Sequence, residues 1–137
     1  MRLLVLALGV GLTLALTVSA AAVLDPVRAT MSTSSTKPLV DTPWRYTITV
    51  NDQAGRPVAA KARLQVLLGT RVVRCWKSTA MVPCSGAKAG TWIAFKGKRT
   101  ATIRWPAQSA GPKLTFQAIV VAGTRTLRLR APLTVRL

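Results

Sequence analysis

The side chains of this protein that could do chemistry are almost all cationic. Of 137 residues, 20 are Lys or Arg and three are Asp (Asp25, Asp41 and Asp52), with no Glu and no His, so the formal net charge is +17. Proton transfer near neutral pH usually relies on His or on tuned carboxylates, and protein metal sites draw on His, Cys, Asp and Glu. The composition therefore argues against an enzyme, and it predicts no catalytic residue, no metal site and no cofactor.

The positive charge is concentrated in one part of the chain. From residue 53 to residue 137 there are sixteen basic residues and no acidic one. Such a chain attracts polyanions, and added salt weakens that attraction. Outward-facing arginines also protect strand edges from aggregation and keep a protein soluble. The charge alone therefore leaves a binding surface and a solubility device both open.

The N-terminus predicts export from the cytoplasm. Arg2 is followed by an uncharged apolar run from Leu3 to Leu24, and residues 1–22 have the layout of a secretory signal peptide. The same run is long enough to span a bilayer as a retained anchor. Both alternatives place the basic remainder outside the cytoplasm, so we expect a secreted or cell-surface protein, with a single-pass anchor as the alternative.

Cys75 and Cys84 form an even pair in a chain predicted to be exported. Such a pair predicts a disulfide, and the eight residues between the two cysteines exclude a CxxC redox motif. We expect the disulfide to staple the loop from Trp76 to Pro83, with a contribution of roughly 2 to 3 kcal/mol in the chain-entropy model.

Most of the remaining chain alternates apolar and polar residues with a period of two, which is typical of β-strands. The segment 23–43 is rich in Ser and Thr and is either a stalk or a first edge strand. The alternating or apolar segments after it are 44–50, 61–68, 71–77, 92–96, 100–105, 114–121 and 125–137. Between 92–96 and 100–105 we predict a turn at residues 97–99. In the last segment we predict an edge or bulge at Pro132 and an inward face formed by Leu127, Leu129, Leu133, Val135 and Leu137.

Seven or eight short strands in roughly 100 residues, separated by Gly and Pro turns, predict an all-β fold. We expect one antiparallel β-sandwich over residues 44–137, with a core filled by inward aliphatic side chains and four tryptophans. Trp44 and Trp105 share the parity of their apolar neighbours, which favours core packing over stacking on nucleic-acid bases.

The segment from Trp44 to Asp52, followed by Gly55-Arg56-Pro57-Val58, resembles the second and third strands of immunoglobulin-like domains on bacterial secreted and surface proteins. The closing segments, 114–121 and 125–135, resemble the last two strands of such domains. The resemblance implies an immunoglobulin-like β-sandwich that serves as a binding, spacing or adhesive module. The short cysteine spacing departs from that of antibody-type members.

In the topology that this resemblance implies, the last strand pairs with residues 114–121, which in turn neighbour residues 61–68. One outer face of the sandwich would then collect four cations around Gln65, Thr115 and Gln117. These four are Lys61, Arg63, Arg128 and Arg130. Side chains two residues apart on one strand stand roughly 7 Å from one another, a spacing that can meet successive charges of a polyanion.

Three functions are consistent with the sequence. The first is association of the basic surface with an anionic cell-envelope component: an acidic polysaccharide, a wall polymer or phospholipid head groups. The second is a module that docks one protein partner through a strand edge or a loop. The third is a membrane-anchored spacer. Predicted export argues against a role on genomic nucleic acid.

Overall fold

The computed structural model describes residues 26–137, and within this range the chain forms nine strands and one short 3-10 helix. The strands are β1 (Arg28–Thr33), β2 (Pro43–Asn51), β3 (Ala59–Leu68), β4 (Arg71–Lys77), β5 (Ala80–Pro83), β6 (Trp92–Lys96), β7 (Lys98–Arg104), β8 (Lys113–Ala122) and β9 (Arg125–Thr134). The 3-10 helix spans Ala107–Ser109. The predicted signal or anchor segment lies outside the described residues. In residues 26–137 no helix is long and apolar enough to cross a membrane.

The strands form two antiparallel sheets. The smaller sheet has the order β1-β2-β7, and the larger has the order β5-β4-β3-β8-β9. One edge of β3 is shared, because β6 pairs with Ala59–Arg63 and β4 with Gln65–Leu68. In immunoglobulin-like sandwiches the third strand and the last two also lie side by side, opposite a sheet that holds the first two. The chain therefore resembles immunoglobulin-like β-sandwiches in its strand order.

Alternate residues of the central strands fill the space between the sheets. The core holds the inward side chains of β2, β3 and β8, most of them buried. An aromatic cluster lies at its centre: the ring of Trp44 lies edge-on to those of Trp105 and Phe116, with centroids 5.3 and 5.2 Å away. Such pairs add about 0.5 to 1.5 kcal/mol beyond the burial of their area. The predicted core positions of Trp44 and Trp105 are confirmed.

The structure contains one strand that the sequence did not predict. Residues 80–83 were expected to lie in a disulfide loop, but they form β5 and pair with β4, with Cys75 opposite Val82. Ser78, at a φ of +54°, makes the tight reversal between the two strands. A strand of four residues is too short for its alternation to be recognised. The described chain thus has nine strands instead of seven or eight, and the disulfide closes the open end of a hairpin.

Two further predictions about β7 and β9 were wrong. Lys98 and Arg99 belong to β7 and not to a turn, because Gly97 alone redirects the chain at a φ of +72°. A Cβ on Gly97 would lie 2.6 Å from the Cβ of Pro57, so glycine is needed there for both reasons. Leu137 is 92% exposed instead of inward, since it lies beyond the last residue that pairs with the sheet.

The Ser/Thr-rich segment connects the two sheets. Its first part forms β1, which pairs with β2 along its whole length at the edge of the smaller sheet. Its second part then runs parallel to the end of the chain, where Arg136 N donates to Pro38 O at 2.8 Å and Val40 N donates to Arg136 O at 2.8 Å. These bonds close the sandwich on the side of β9, the edge strand that holds Pro132.

The turn between β2 and β3 contains one of the two described carboxylates, that of Asp52. Its pKa is lowered from the usual 3.8, chiefly because the backbone N–H of Arg56 donates to Oδ1 at 2.9 Å, and the Arg56 side chain adds a hydrogen bond and its charge. Partial desolvation opposes these effects.

We expect this carboxylate to contribute to acid sensitivity. A pKa that is lower in the folded state adds stability above pH 3.8, and this contribution is lost as the pH falls through the lowered value. In Asp52→Asn the amide oxygen can still accept from the backbone N–H groups of Ala54 and Arg56, but the group no longer titrates. Urea denaturation below about pH 4 should therefore show a shallower decline of unfolding free energy for the variant than for the parent. Parallel declines would contradict this assignment.

Candidate functional site

The strand register brings four predicted cations onto the outer face of the larger sheet. Arg63 on β3 lies opposite Ile119 on β8, which lies opposite Arg128 on β9. One pair along, Gln65 lies opposite Gln117, and Gln117 opposite Arg130. We call the set of four the cationic face: Lys61, Arg63, Arg128 and Arg130. Arg63 is half-buried and the other three are exposed.

No carboxylate in residues 26–137 lies on a strand of the larger sheet. The two described acids sit in connections next to the smaller sheet, and each has an arginine of its own. Asp52 pairs with Arg56 at 2.7 Å, and the carboxylate of Asp41 lies 4.0 Å from Nη1 of Arg104. The field of the cationic face is therefore not neutralised by a neighbouring acid in the part of the chain that the structure describes.

A chain of side-chain hydrogen bonds holds Arg130 in place. Arg130 Nε donates to Gln117 Oε1 at 2.9 Å, and Gln117 Nε2 donates to Gln65 Oε1 at 3.1 Å. Both glutamines are only 1% exposed, and buried amides with complete hydrogen bonding keep one conformation. Because Arg130 is held through Nε, its two Nη groups remain available to an anion.

The loop after the disulfide completes this chain. Gln65 Nε2 donates to the carbonyl oxygens of Ala87 and Ala89, each at 2.9 Å. The disulfide to Cys75 on β4 anchors the start of this loop at Cys84, with the two Cα atoms 5.9 Å apart. The disulfide thus supports, through the loop and the two glutamines, the position of a guanidinium on β9, at the opposite edge of the sheet.

The other end of the cationic face is organised by Trp92. The Lys61 ammonium lies 4.7 Å from the centre of the indole ring and the Arg63 guanidinium carbon 4.2 Å from it, which are cation–π distances. Trp92 had been predicted to help fill the core, and that prediction was wrong: it lies half-buried beside Arg63, its partner on β3. Its parity within β6 is that of Ala94 and Lys96, and this was the signal for an outward position.

A small depression lies at the Arg130 end of the cationic face and extends toward the turn between β3 and β4, away from Trp92. It has a volume of about 150 Å³, and its lining includes Gln65, Thr115, Gln117, Arg128 and Arg130. Since one water occupies about 30 Å³, the depression can hold a group of a few atoms, such as a carboxylate, sulfate or phosphate. Guanidinium and amide N–H groups donate to all three of these anions. The arrangement can bind an anion.

Sequence reasoning placed the four cations but missed what holds them. The available signal was polar: Gln65 and Gln117 are amides on the outward parity of two central strands, β3 and β8. Two amides at facing positions of neighbouring strands are natural hydrogen-bond partners. Their contact joins residues 52 positions apart, and only the folded chain shows it.

Comparison with known proteins adds little to this description. No protein-family model matches the chain, and no curated protein matches it. Among solved structures, a CARDB domain from Pyrococcus furiosus, solved in complex with di-metal ions, is 16% identical, with a TM-score of 0.45 over 81% of this chain and 88% of that one. A DUF4466 family protein from Parabacteroides merdae is 12% identical, with a TM-score of 0.47 over 77% of this chain.

This chain spans 43% of the length of the Parabacteroides merdae protein. Residues 26–137 contain no group of three or more His, Cys, Asp or Glu side chains that could hold a metal ion. At these identities and TM-scores the likeness shows neither a shared family nor a shared function.

Proposed function

We propose that this protein is an exported, non-enzymatic binding module whose cationic face associates with an anionic component of the cell envelope. The observation that carries the proposal is the cationic face itself: four cations on β3 and β9, the two strands that flank β8, with no carboxylate on the described strands of that sheet. Its chemistry suits carboxylate, sulfate or phosphate groups, which acidic polysaccharides, wall polymers and phospholipid head groups all present.

The order of the side chains supports this proposal over a role in solubility. An exposed arginine loses rotamer freedom when it binds, and this loss weakens association. Here Arg130 is held by Gln117 and Arg63 is stacked on Trp92 before any ligand arrives. Solubility requires charge but does not require arginines held in place. A planar guanidinium fixed in this way can donate two parallel hydrogen bonds to an oxyanion.

The spacing of the cations suits a polymer better than a single small anion. Arg128 and Arg130 are two residues apart on β9, roughly 7 Å along the strand, and β3 lies two strands away, roughly 10 Å across the sheet. Binding to such a polymer releases counter-ions, so its affinity falls steeply with salt. Exposed pairs lose most of their attraction near 0.5 M salt, where the Debye length is about 4 Å.

The test is binding of the full-length chain to immobilised dextran sulfate and to vesicles of anionic phospholipid across a salt series. We expect the triple variant R63Q/R128Q/R130Q to bind at least tenfold more weakly at low salt, about what the loss of several ion contacts costs. The matched control is R28Q/R45Q/K98Q, which removes the same number of charges from the exposed outer surface of the smaller sheet.

The comparison of the two variants decides the assignment. Near-parental binding by the control together with weak binding by R63Q/R128Q/R130Q supports the cationic face. Equal losses in both variants would mean that net charge alone drives the association, and the surface assignment would be wrong. Retention of the parent above about 0.5 M salt would point to a shaped interface instead of counter-ion release.

A further inference from the structure

Strand β7 has a free edge. Among the described strands it pairs with β2 on one side and with none on the other. In the other sheet, β5 is likewise an edge strand and pairs only with β4. An unpaired edge presents a row of backbone N–H and C=O groups, to which another extended chain can bind.

The register shows which backbone groups of β7 point outward. Val50 N donates to Gly97 O at 2.7 Å, so this pair is hydrogen-bonded to β2. In an antiparallel pair, hydrogen-bonded residues alternate with residues whose backbone groups face the other way. The N–H and C=O groups of Thr100 and Thr102, and those of Lys98 and Arg104 at the ends, therefore point to the free edge.

A groove of about 750 Å³ runs beside this edge. One wall is the continuous segment from Thr102 to Ala107, the opposite wall is the end of the β4–β5 hairpin, and Val40 and Asp41 complete the lining. Trp76 and Met81 on that hairpin are half-buried, and Ile103 and Trp105 are buried on the β7 side. The groove can therefore take apolar side chains from an extended segment that lies along the edge of β7.

The two faces of β7 have different chemistry. Its outward residues are exposed and include Lys98 and Arg104 at the two ends. Arg99, Ala101 and Ile103 lie on the inward side, where Arg99 Nε donates to the Tyr46 hydroxyl at 3.1 Å. A strand added at this edge would continue the same alternation. Its outward side chains would lie beside cations, and its inward side chains would enter the apolar groove.

The charge decides between a second copy and a different partner. Two copies paired edge to edge would bring Lys98 and Arg104 of each chain close to those of the other, between molecules of formal charge +17. Like charges on adjacent strands are destabilising. An acidic segment would be attracted to the same edge, where two cations, Lys98 and Arg104, stand against the single carboxylate of Asp41.

We propose that β7 accepts an additional strand from a protein partner, in a segment that alternates Asp or Glu with large apolar residues. This site is separate from the cationic face, which lies on the outer surface of the other sheet, and it does not depend on the proposed association with envelope polyanions. The partner's backbone would bond to Thr100 and Thr102, and its apolar side chains would pack against Trp76 and Met81.

The test uses the full-length chain and a fluorescein-labelled peptide, acetyl-Glu-Val-Glu-Phe-Glu-Val-Glu-amide, at about 0.15 M salt. We expect Thr102→Pro to weaken binding at least tenfold, because proline removes the outward N–H without breaking a bond to β2. Thr102→Val keeps that N–H and should bind within about twofold of the parent, and so should R63Q/R128Q/R130Q. The peptide with Lys in place of Glu should bind at least tenfold more weakly than the Glu peptide.

Several results would overturn the proposal: no binding of the Glu peptide to the parent, equal binding by Thr102→Pro, or loss of binding in R63Q/R128Q/R130Q alone. The last would assign the peptide to the cationic face. If Thr102→Pro fails to fold, amide hydrogen exchange of the parent decides. Saturating peptide should slow exchange at Thr100, Thr102 and Arg104 by at least tenfold, and unchanged exchange at these amides would refute strand addition.

Discussion

Replacing Trp105 with alanine should lower the free energy of unfolding by about 3 to 5 kcal/mol, the usual cost of truncating a large buried aromatic residue. Trp105 is fully buried, and its ring lies 5.3 Å from that of Trp44 and 6.3 Å from that of Phe116. Its Nε1 has no hydrogen-bond partner among the described residues, so the truncation leaves no acceptor unpaired. The loss would therefore arise from packing and from the cavity that remains.

Urea denaturation of the parent, W105A and W105F measures this effect. The phenylalanine variant keeps most of the ring contacts with Trp44 and Phe116, and we expect it to recover more than half of the loss. Because domains are stable by only about 5 to 15 kcal/mol, W105A removes a large part of the total. A W105A variant within about 1 kcal/mol of the parent would show that the aromatic cluster is not the centre of the core.

Removal of the disulfide is expected to be the second large loss. Cys75 and Cys84 are 9 positions apart, and closing a loop of that length stabilises by roughly 2 to 3 kcal/mol in the chain-entropy model. In Cys75→Ala/Cys84→Ala the loop after β5 is no longer anchored at its start. The carbonyl groups of Ala87 and Ala89, which accept from Gln65, should then lose their fixed position.

Two measurements separate these consequences. Urea denaturation of the double variant, with the parent in a thiol reductant as its control, reports the loss of stability. Amide hydrogen exchange reports the local effect: Ala89 N, which donates to Gly86 O at 3.1 Å within the loop, should exchange faster. Exchange of the amides in the core of β8 should become faster only by the factor that corresponds to the loss of global stability. Unchanged stability together with unchanged exchange at Ala89 would contradict the role of the disulfide.

Much of the fold follows from the sequence because a strand has a side-chain period of two. That period shows which residues of β2, β3, β8 and β9 face inward. The structure buries most of the apolar residues at those positions, from Trp44 to Val135, and leaves Leu127 and Leu129 half-buried. The absence of acids after Asp52 is also a property of the sequence alone. It ensures that a surface built from this part of the chain is cationic, whatever the pairing of its strands.

The period of two does not show where a strand ends and is not visible in a very short strand, and most of the wrong predictions arose there. It does not show where pairing stops, so Leu137 was assigned to the inward face although no strand in residues 26–137 pairs with it. It is also not visible in a strand of four residues, and β5 was missed for that reason. At Gly97 the chain turns within a single residue, which local turn patterns do not anticipate because the neighbour that demands glycine is Pro57.

Only the tertiary structure determines which strands are neighbours, and both candidate sites depend on that. The hydrogen bonds from Arg130 through Gln117 to Gln65 need β9, β8 and β3 to be adjacent and in one register. The free edge of β7 exists because β6 pairs with β3 instead. Period two determines the face on which a side chain lies, whereas its partner comes from a distant part of the chain and is chosen by the packing of the whole core.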